Sequence, residues 1–73
     1  MIEVKLFAYF RENRGKVVFV DYYEGIKVKD IVSDLNIELD DVSIILVNGR
    51  HQTLETILND GQKLFLFPPV GGG

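Results

Sequence analysis

The chain has no cysteine. That excludes disulfides, thiolate metal sites and a cysteine nucleophile. Its one histidine, His51, follows a hairpin signal and has no cysteine to pair with, so solvent exposure suits it better than catalysis. Ser33 and Ser43 stand in no context that resembles an activated nucleophile. Gly15, Gly25, Gly49, Gly61 and a terminal glycine run form no phosphate-binding loop. No two acids stand out as an acid/base couple. The body of the chain therefore lacks a catalytic set of its own, and no bound cofactor or metal is expected. Basic charge is also scarce. Eight Lys and Arg face eleven Asp and Glu, a net charge of −3, which disfavours nucleic acid as a partner. No apolar run approaches the roughly 20 residues of a membrane helix, so no membrane partner is expected. Met1-Ile2-Glu3-Val4-Lys5 reads as strand rather than signal peptide, and a cytoplasmic location is the default expectation.

What is present is apolar and patterned. The 73 residues make one domain at most, and a hydrophobic fraction of 47% can fill a single core without staples. Ile2, Val4, Leu6 and Ala8 alternate with Glu3, Lys5, Phe7 and Tyr9, the period of a strand with one buried face. Arg11 to Gly15 reads as a turn, and Lys16 to Tyr23 as a second, antiparallel strand. Arg11, Arg14 and Lys16 read either as solvated turn charges or as a partner contact. Val28, Ile31, Val32 and Leu35 then take helical spacing, with Asn36 as a left-handed stop. No Ser, Thr or Asp caps the helix start, so its first turn is expected to fray. Glu38, Asp40 and Asp41 read as a solvated loop.

Val42 to Val47 is a buried strand, Asn48-Gly49 a hairpin turn, and Arg50 to Gln52 a short return strand. Leu54, Ile57 and Leu58 suggest a short helical turn under the sheet, and Asp60-Gly61 another turn. Lys63 to Phe67 is the last strand, Leu64 and Leu66 on one face, Phe65 and Phe67 on the other. One helix cannot cross between every strand pair, so the sheet must be mixed. The expected fold is α+β, a β-grasp or ubiquitin-like mixed sheet with the helix across one face and the first and last strands parallel neighbours. Phe7 then falls near Phe65 and Phe67, an aromatic docking patch beside the end of the chain.

The ending is Phe67-Pro68-Pro69-Val70-Gly71-Gly72-Gly73. Residues 1–67 are expected to form the domain and 68–73 a flexible tail. Glycine has no Cβ, so such a terminus can enter a narrow slot and present a carboxylate. Extended, Pro68 to Gly73 reach roughly 20 Å at about 3.3–3.6 Å per residue. With no catalytic set in the body, any chemistry is expected at the Gly73 carboxylate, acted on by another protein that couples it to AMP from ATP; the other reading is a non-covalent interaction domain with an inert tail.

Several stretches together resemble one family. They are Val4-Lys5-Leu6-Phe7-Ala8 with Arg11-Glu12, Val28-Lys29-Asp30-Ile31, Val47-Asn48-Gly49, Asp60-Gly61, and Phe67-Pro68-Pro69-Val70 before the glycines. The chain resembles the MoaD/ThiS sulfur carriers, most closely the small subunits of molybdopterin synthases. The resemblance implies a β-grasp fold and a cycle. An E1-like enzyme adenylates Gly73 using ATP. Sulfur transfer converts it to a thiocarboxylate, and the tail, Pro68, Pro69, Val70, Gly71 and Gly72, enters the large subunit of molybdopterin synthase. Phe7, Phe65, Phe67 and Arg11 are the expected partner-binding residues, and the free protein is an expected monomer. Lys27 and Gly71 depart from the residues usual at their positions. The same ending leaves open a ubiquitin-like modifier joined to lysines, or a carrier for thiamine or tRNA thiolation.

Overall fold

The computed structural model describes residues 1–69. The expectations placed on Val70, Gly71, Gly72 and Gly73 lie outside the described residues. Five strands and one α-helix follow in the anticipated order: β1 (Ile2–Leu6), β2 (Val17–Val20), α1 (Val28–Asp34), β3 (Ile44–Val47), β4 (Arg50–His51) and β5 (Lys63–Phe67). The sheet order is β2-β1-β5-β3-β4. β1 and β5 run parallel at its centre, and the other pairs are antiparallel. This mixed sheet with one helix is the β-grasp, ubiquitin-like architecture.

Alternation decides the two faces. Ile2, Val4 and Leu6 of β1 and Leu64 and Leu66 of β5 are fully buried, and α1 covers them with Val28, Ile31 and Val32. Register joins the outward residues instead: Lys5 lies beside Phe65, and Phe67 beside Ile44. At about 25 cal/mol per Å² of apolar surface, the inward set supplies most of the hydrophobic stabilisation. Asn48 and Gly49 both take positive φ, +52° and +80°, the backbone a two-residue hairpin between β3 and β4 requires.

Three expectations fail for identifiable reasons. β1 ends at Leu6, not Tyr9, because Ala8 turns to φ +52° and the chain enters a 3₁₀ turn, Ala8–Arg11. That turn drives Phe10 into the core at 2% exposure, and Ala8 is exposed instead of buried. One large ring inside outweighs a left-handed alanine, whose strain is of order 1 kcal/mol.

Nor is the start of α1 left to fray. The Val28 N–H donates to the Thr56 carbonyl at 3.0 Å and the Lys29 N–H to the Leu54 carbonyl at 2.9 Å. Asp30 Oδ2 accepts from the Lys27 N–H at 2.9 Å. The donors of Val28 and Lys29 are thus met by backbone from a distant segment, and that of the N-cap Lys27 by the Asp30 side chain.

The same bonds explain why residues 54–58 form no helical turn. Carbonyls aimed at α1 cannot also close a helix. Leu58 is buried as expected, but Ile57 stays 59% exposed. Thr53 and Thr56 shape this segment: Thr53 Oγ1 accepts from the Glu55 N–H and Thr56 Oγ1 from the Thr53 N–H. At the other end α1 stops at Asn36, φ +60°, with Ile37 N–H bonded to Val32 O and Asn36 N–H to Ser33 O, a Schellman ending.

Candidate functional site

The outward face of β1, β5 and β3 gathers the aromatics foreseen in the sequence. Phe7 is extended where β1 ends, φ −127° and ψ 155°, so its ring continues the outward alternation. It stacks on Phe67 with centroids 4.1 Å apart and planes 10° from parallel. Phe65 meets the Phe7 ring at 5.9 Å in a tilted contact. All three rings are half-buried. They hold one another in place, which leaves a preformed surface with little side-chain entropy to lose on docking.

Two cations border this cluster. The Arg11 guanidinium carbon lies 5.3 Å from the Phe7 centroid, and Lys5 Nζ 5.5 Å from that of Phe65. Arg11 is not a loose turn charge: its Nε donates to the Leu6 carbonyl at 2.8 Å, which sets the guanidinium over the ring. The arrangement offers a partner an apolar centre with a positive border, suited to an acidic rim on the other side.

Beside the stack runs an open apolar groove of about 360 Å³, lined by Phe7, Ala8, Tyr9, Ile44, Phe67, Pro68 and Pro69. Pro68 is buried and Pro69 exposed, so the last two described residues lie in this groove. The Ser43 N–H bonds to the Phe67 carbonyl at 2.9 Å and fixes the last strand residue ahead of them.

Of the candidate residues, the structure brings Phe7, Phe65, Phe67, Arg11, Pro68 and Pro69 to one surface. Tyr9 joins its edge, as its outward place in the alternation allows, and Ile44 and Ala8 share it and were missed. Ile44 and Leu46 sit in an apolar run whose faces only strand pairing could separate; the Ile44–Phe67 register does so. Arg14 parts from Arg11. Read as a turn charge, it donates from Nε to Leu35 O at 2.9 Å and from Nη1 to Phe10 O at 3.2 Å, tying the 3₁₀ turn to the end of α1. His51 and the Glu38, Asp40, Asp41 loop are exposed. Among the described residues no His, Asp or Glu group gathers that could hold a metal.

The model of the ThiS family matches residues 4–73, nearly the whole chain and all four terminal residues. The chain belongs to the ThiS family. This ThiS-family chain is 32% identical to SAMP1 of Haloferax volcanii, over 99% of itself and 98% of that chain, with a TM-score of 0.78. A molybdopterin converting factor subunit 1 from Pyrococcus furiosus is 29% identical, with 94% and 97% covered and a TM-score of 0.76. Subunit 1 in the complex of subunits 1 and 2 of molybdopterin-converting factor from Helicobacter pylori is 26% identical, with 99% and 97% covered and a TM-score of 0.64. No curated protein sequence matches the chain.

Proposed function

We propose that this protein is a sulfur carrier whose Gly73 carboxylate is the working group, serving as small subunit of a molybdopterin synthase. The observation that carries the reading is the shared surface: the aromatic stack and the groove that holds Pro68 and Pro69 are one continuous face. A partner that binds the rings is thereby positioned to receive the tail. The Helicobacter pylori neighbour, seen with its subunit 2, supports a partner of this kind.

The chemistry follows from the weakness of a carboxylate as an electrophile. A carboxylate oxygen of Gly73 attacks the α-phosphorus of ATP on an E1-like enzyme, and pyrophosphate leaves. A hydrosulfide-level donor then attacks the acyl carbon, AMP leaves, and the product is a thiocarboxylate. Its sulfur passes to the pterin precursor in the large subunit, and water restores the carboxylate. This chain supplies position: the ring stack for docking, Pro68-Pro69 to limit the tail's freedom, and glycines that fit a narrow slot.

A second reading has its own support. SAMP1, the small archaeal modifier protein 1, is a structural neighbour at 30–32% identity. There the same acyl-adenylate would meet a lysine amine and form an isopeptide bond. An adenylation assay with ATP and the E1-like enzyme of the same cell tests what both readings share. Wild type forms the acyl-adenylate and Gly72→Val does not, because a branched side chain blocks the slot. Equal adenylation of the two would overturn the tail-centred account.

A further inference from the structure

A second exposed surface lies at the β2 edge of the sheet. β2 pairs only with β1, so it is an edge strand. Antiparallel alternation fixes which of its backbone groups are open. Leu6 N–H bonds to Lys16 O, so Val18 and Val20 direct their groups to β1, while Val17 and Phe19 direct theirs away from the sheet. Edge strands are usually blunted by a charge, a proline or a bulge. Here Val17 to Val20 contain none of these, and Val17 and Phe19 are 40% and 60% exposed.

Between this edge and α1 lies an open groove of about 470 Å³. Ile26 and Ile31, both buried, form its floor, Val18 and Val20 line it from the sheet, and Tyr23 stands at its side. Asp21, Asp30 and Asp34 edge it; no lining residue is Lys, Arg or His, and the α-amino group of Met1, which also lines it, is paired with Asp60. Burial beside the groove, then the charges of Asp30 and Asp34, push the Tyr23 hydroxyl above its ordinary value. The surface is therefore apolar within and negative at its rim.

We propose that this groove takes an extended peptide segment of a partner protein, added as a sixth strand on β2, with alternate apolar side chains inward and flanking Lys or Arg beside Asp21 and Asp34. Strand addition supplies main-chain hydrogen bonds from Val17 and Phe19, and the groove accepts every second side chain. Charge selects this occupant over a second copy of the chain, because two acidic rims would oppose each other. The surface is independent of the tail. Ile2 pairs with Val20 and Leu6 with Leu66, so the groove sits at the far end of β1 from the exit at Phe67. A partner could hold it while Gly73 is engaged elsewhere.

The test titrates the ¹⁵N-labelled full chain with an acetylated, amidated octapeptide, Lys-Lys-Val-Ile-Val-Ile-Lys-Lys. The control carries glutamate in place of lysine. The lysine peptide should shift the amides of Val17 to Asp21 and of Ile31 to Leu35, and slow exchange of the Val17 and Phe19 N–H groups. The glutamate peptide should bind about tenfold more weakly. Asp34→Asn should weaken the lysine peptide by about two- to fivefold; Asp30 is spared because it caps α1. Phe19→Pro removes an outward donor that β1 does not use, and should abolish binding. If that variant does not fold, peptides N-methylated at one or the other set of alternate amides replace it: one set should lose binding. Equal binding by both octapeptides, shifts centred on Phe65 and Phe67, concentration-dependent β2 shifts without peptide, or tolerance of both methylated sets would each overturn the proposal. None of these outcomes bears on adenylation of Gly73.

Discussion

Strand β5 presents two surfaces three ångströms of chain apart. Leu64 and Leu66 point inward and are fully buried, while Phe65 and Phe67 point outward and are half-buried. Both pairs are large and apolar, so composition alone does not separate them. The difference is what covers them. α1 closes over the leucines. The phenylalanines have one another, Phe7 and Ile44, with the Lys5 ammonium beside Phe65 and the Arg11 guanidinium beside Phe7. A small domain gains little by leaving three rings half exposed. The inward residues answer to folding, and the proposed function assigns the outward ones to a partner.

The sharpest way to break that division is to truncate each side of it. Leu66→Ala should cost about 2–5 kcal/mol, a large share of the roughly 4–11 kcal/mol expected for a domain of this size, seen as a lower midpoint in urea. Phe67→Ala should cost less stability but weaken partner binding by about tenfold or more, measured by calorimetry with the large subunit. Equal losses of stability at the two positions would mean that Phe67 is core. Phe7→Ala should behave like Phe67→Ala, since the two rings stack.

The arginines extend the comparison at a smaller scale. Arg14→Ala removes bonds to Leu35 and Phe10 carbonyls and should cost about 1–2 kcal/mol of stability with binding unchanged. Arg11→Ala should show the reverse balance, about 1 kcal/mol or less of stability and a measurable loss of association rate at low salt. The smallest effect is expected at Glu55, which pairs with Lys29 at 3.1 Å and Lys27 at 3.2 Å. Its bonds to Lys29 and then Lys27 hold its carboxyl below the ordinary 4.5. A depressed folded value means the contribution is complete above pH 4.5 and lost as pH falls through the folded value. Glu55→Gln should therefore narrow the gap from wild type as melting curves are moved to lower pH, an exposed pair giving only a slight change.

Much of this was legible in the chain because period two and period 3.6 are local signals. Ile2, Val4 and Leu6, the spacing of Val28, Ile31 and Val32, Asn36 and Asn48-Gly49 each name their own structure. The parallel β1–β5 pairing followed from topology, and it placed Phe7 near Phe65 and Phe67. What stayed hidden depended on distant partners. Ile44 could be assigned a face only through its neighbour Phe67. Ala8 was misplaced and Phe10 left unassigned because alternation cannot show where a strand turns to fill a core. Arg14 looked like a surface charge because its acceptors lie at Phe10 and at Leu35, across the fold. The start of α1 looked uncapped because its acceptors come from Leu54 and Thr56.

The central claim is that the outward face exists to deliver Gly73. Intact mass measurement of the protein purified from its own cells tests it most directly. The account predicts a population in which one terminal oxygen is replaced by sulfur, and its disappearance when Gly73 is deleted. A protein found only as the plain carboxylate under conditions of active cofactor synthesis, or one that keeps its sulfur without Gly73, would contradict it.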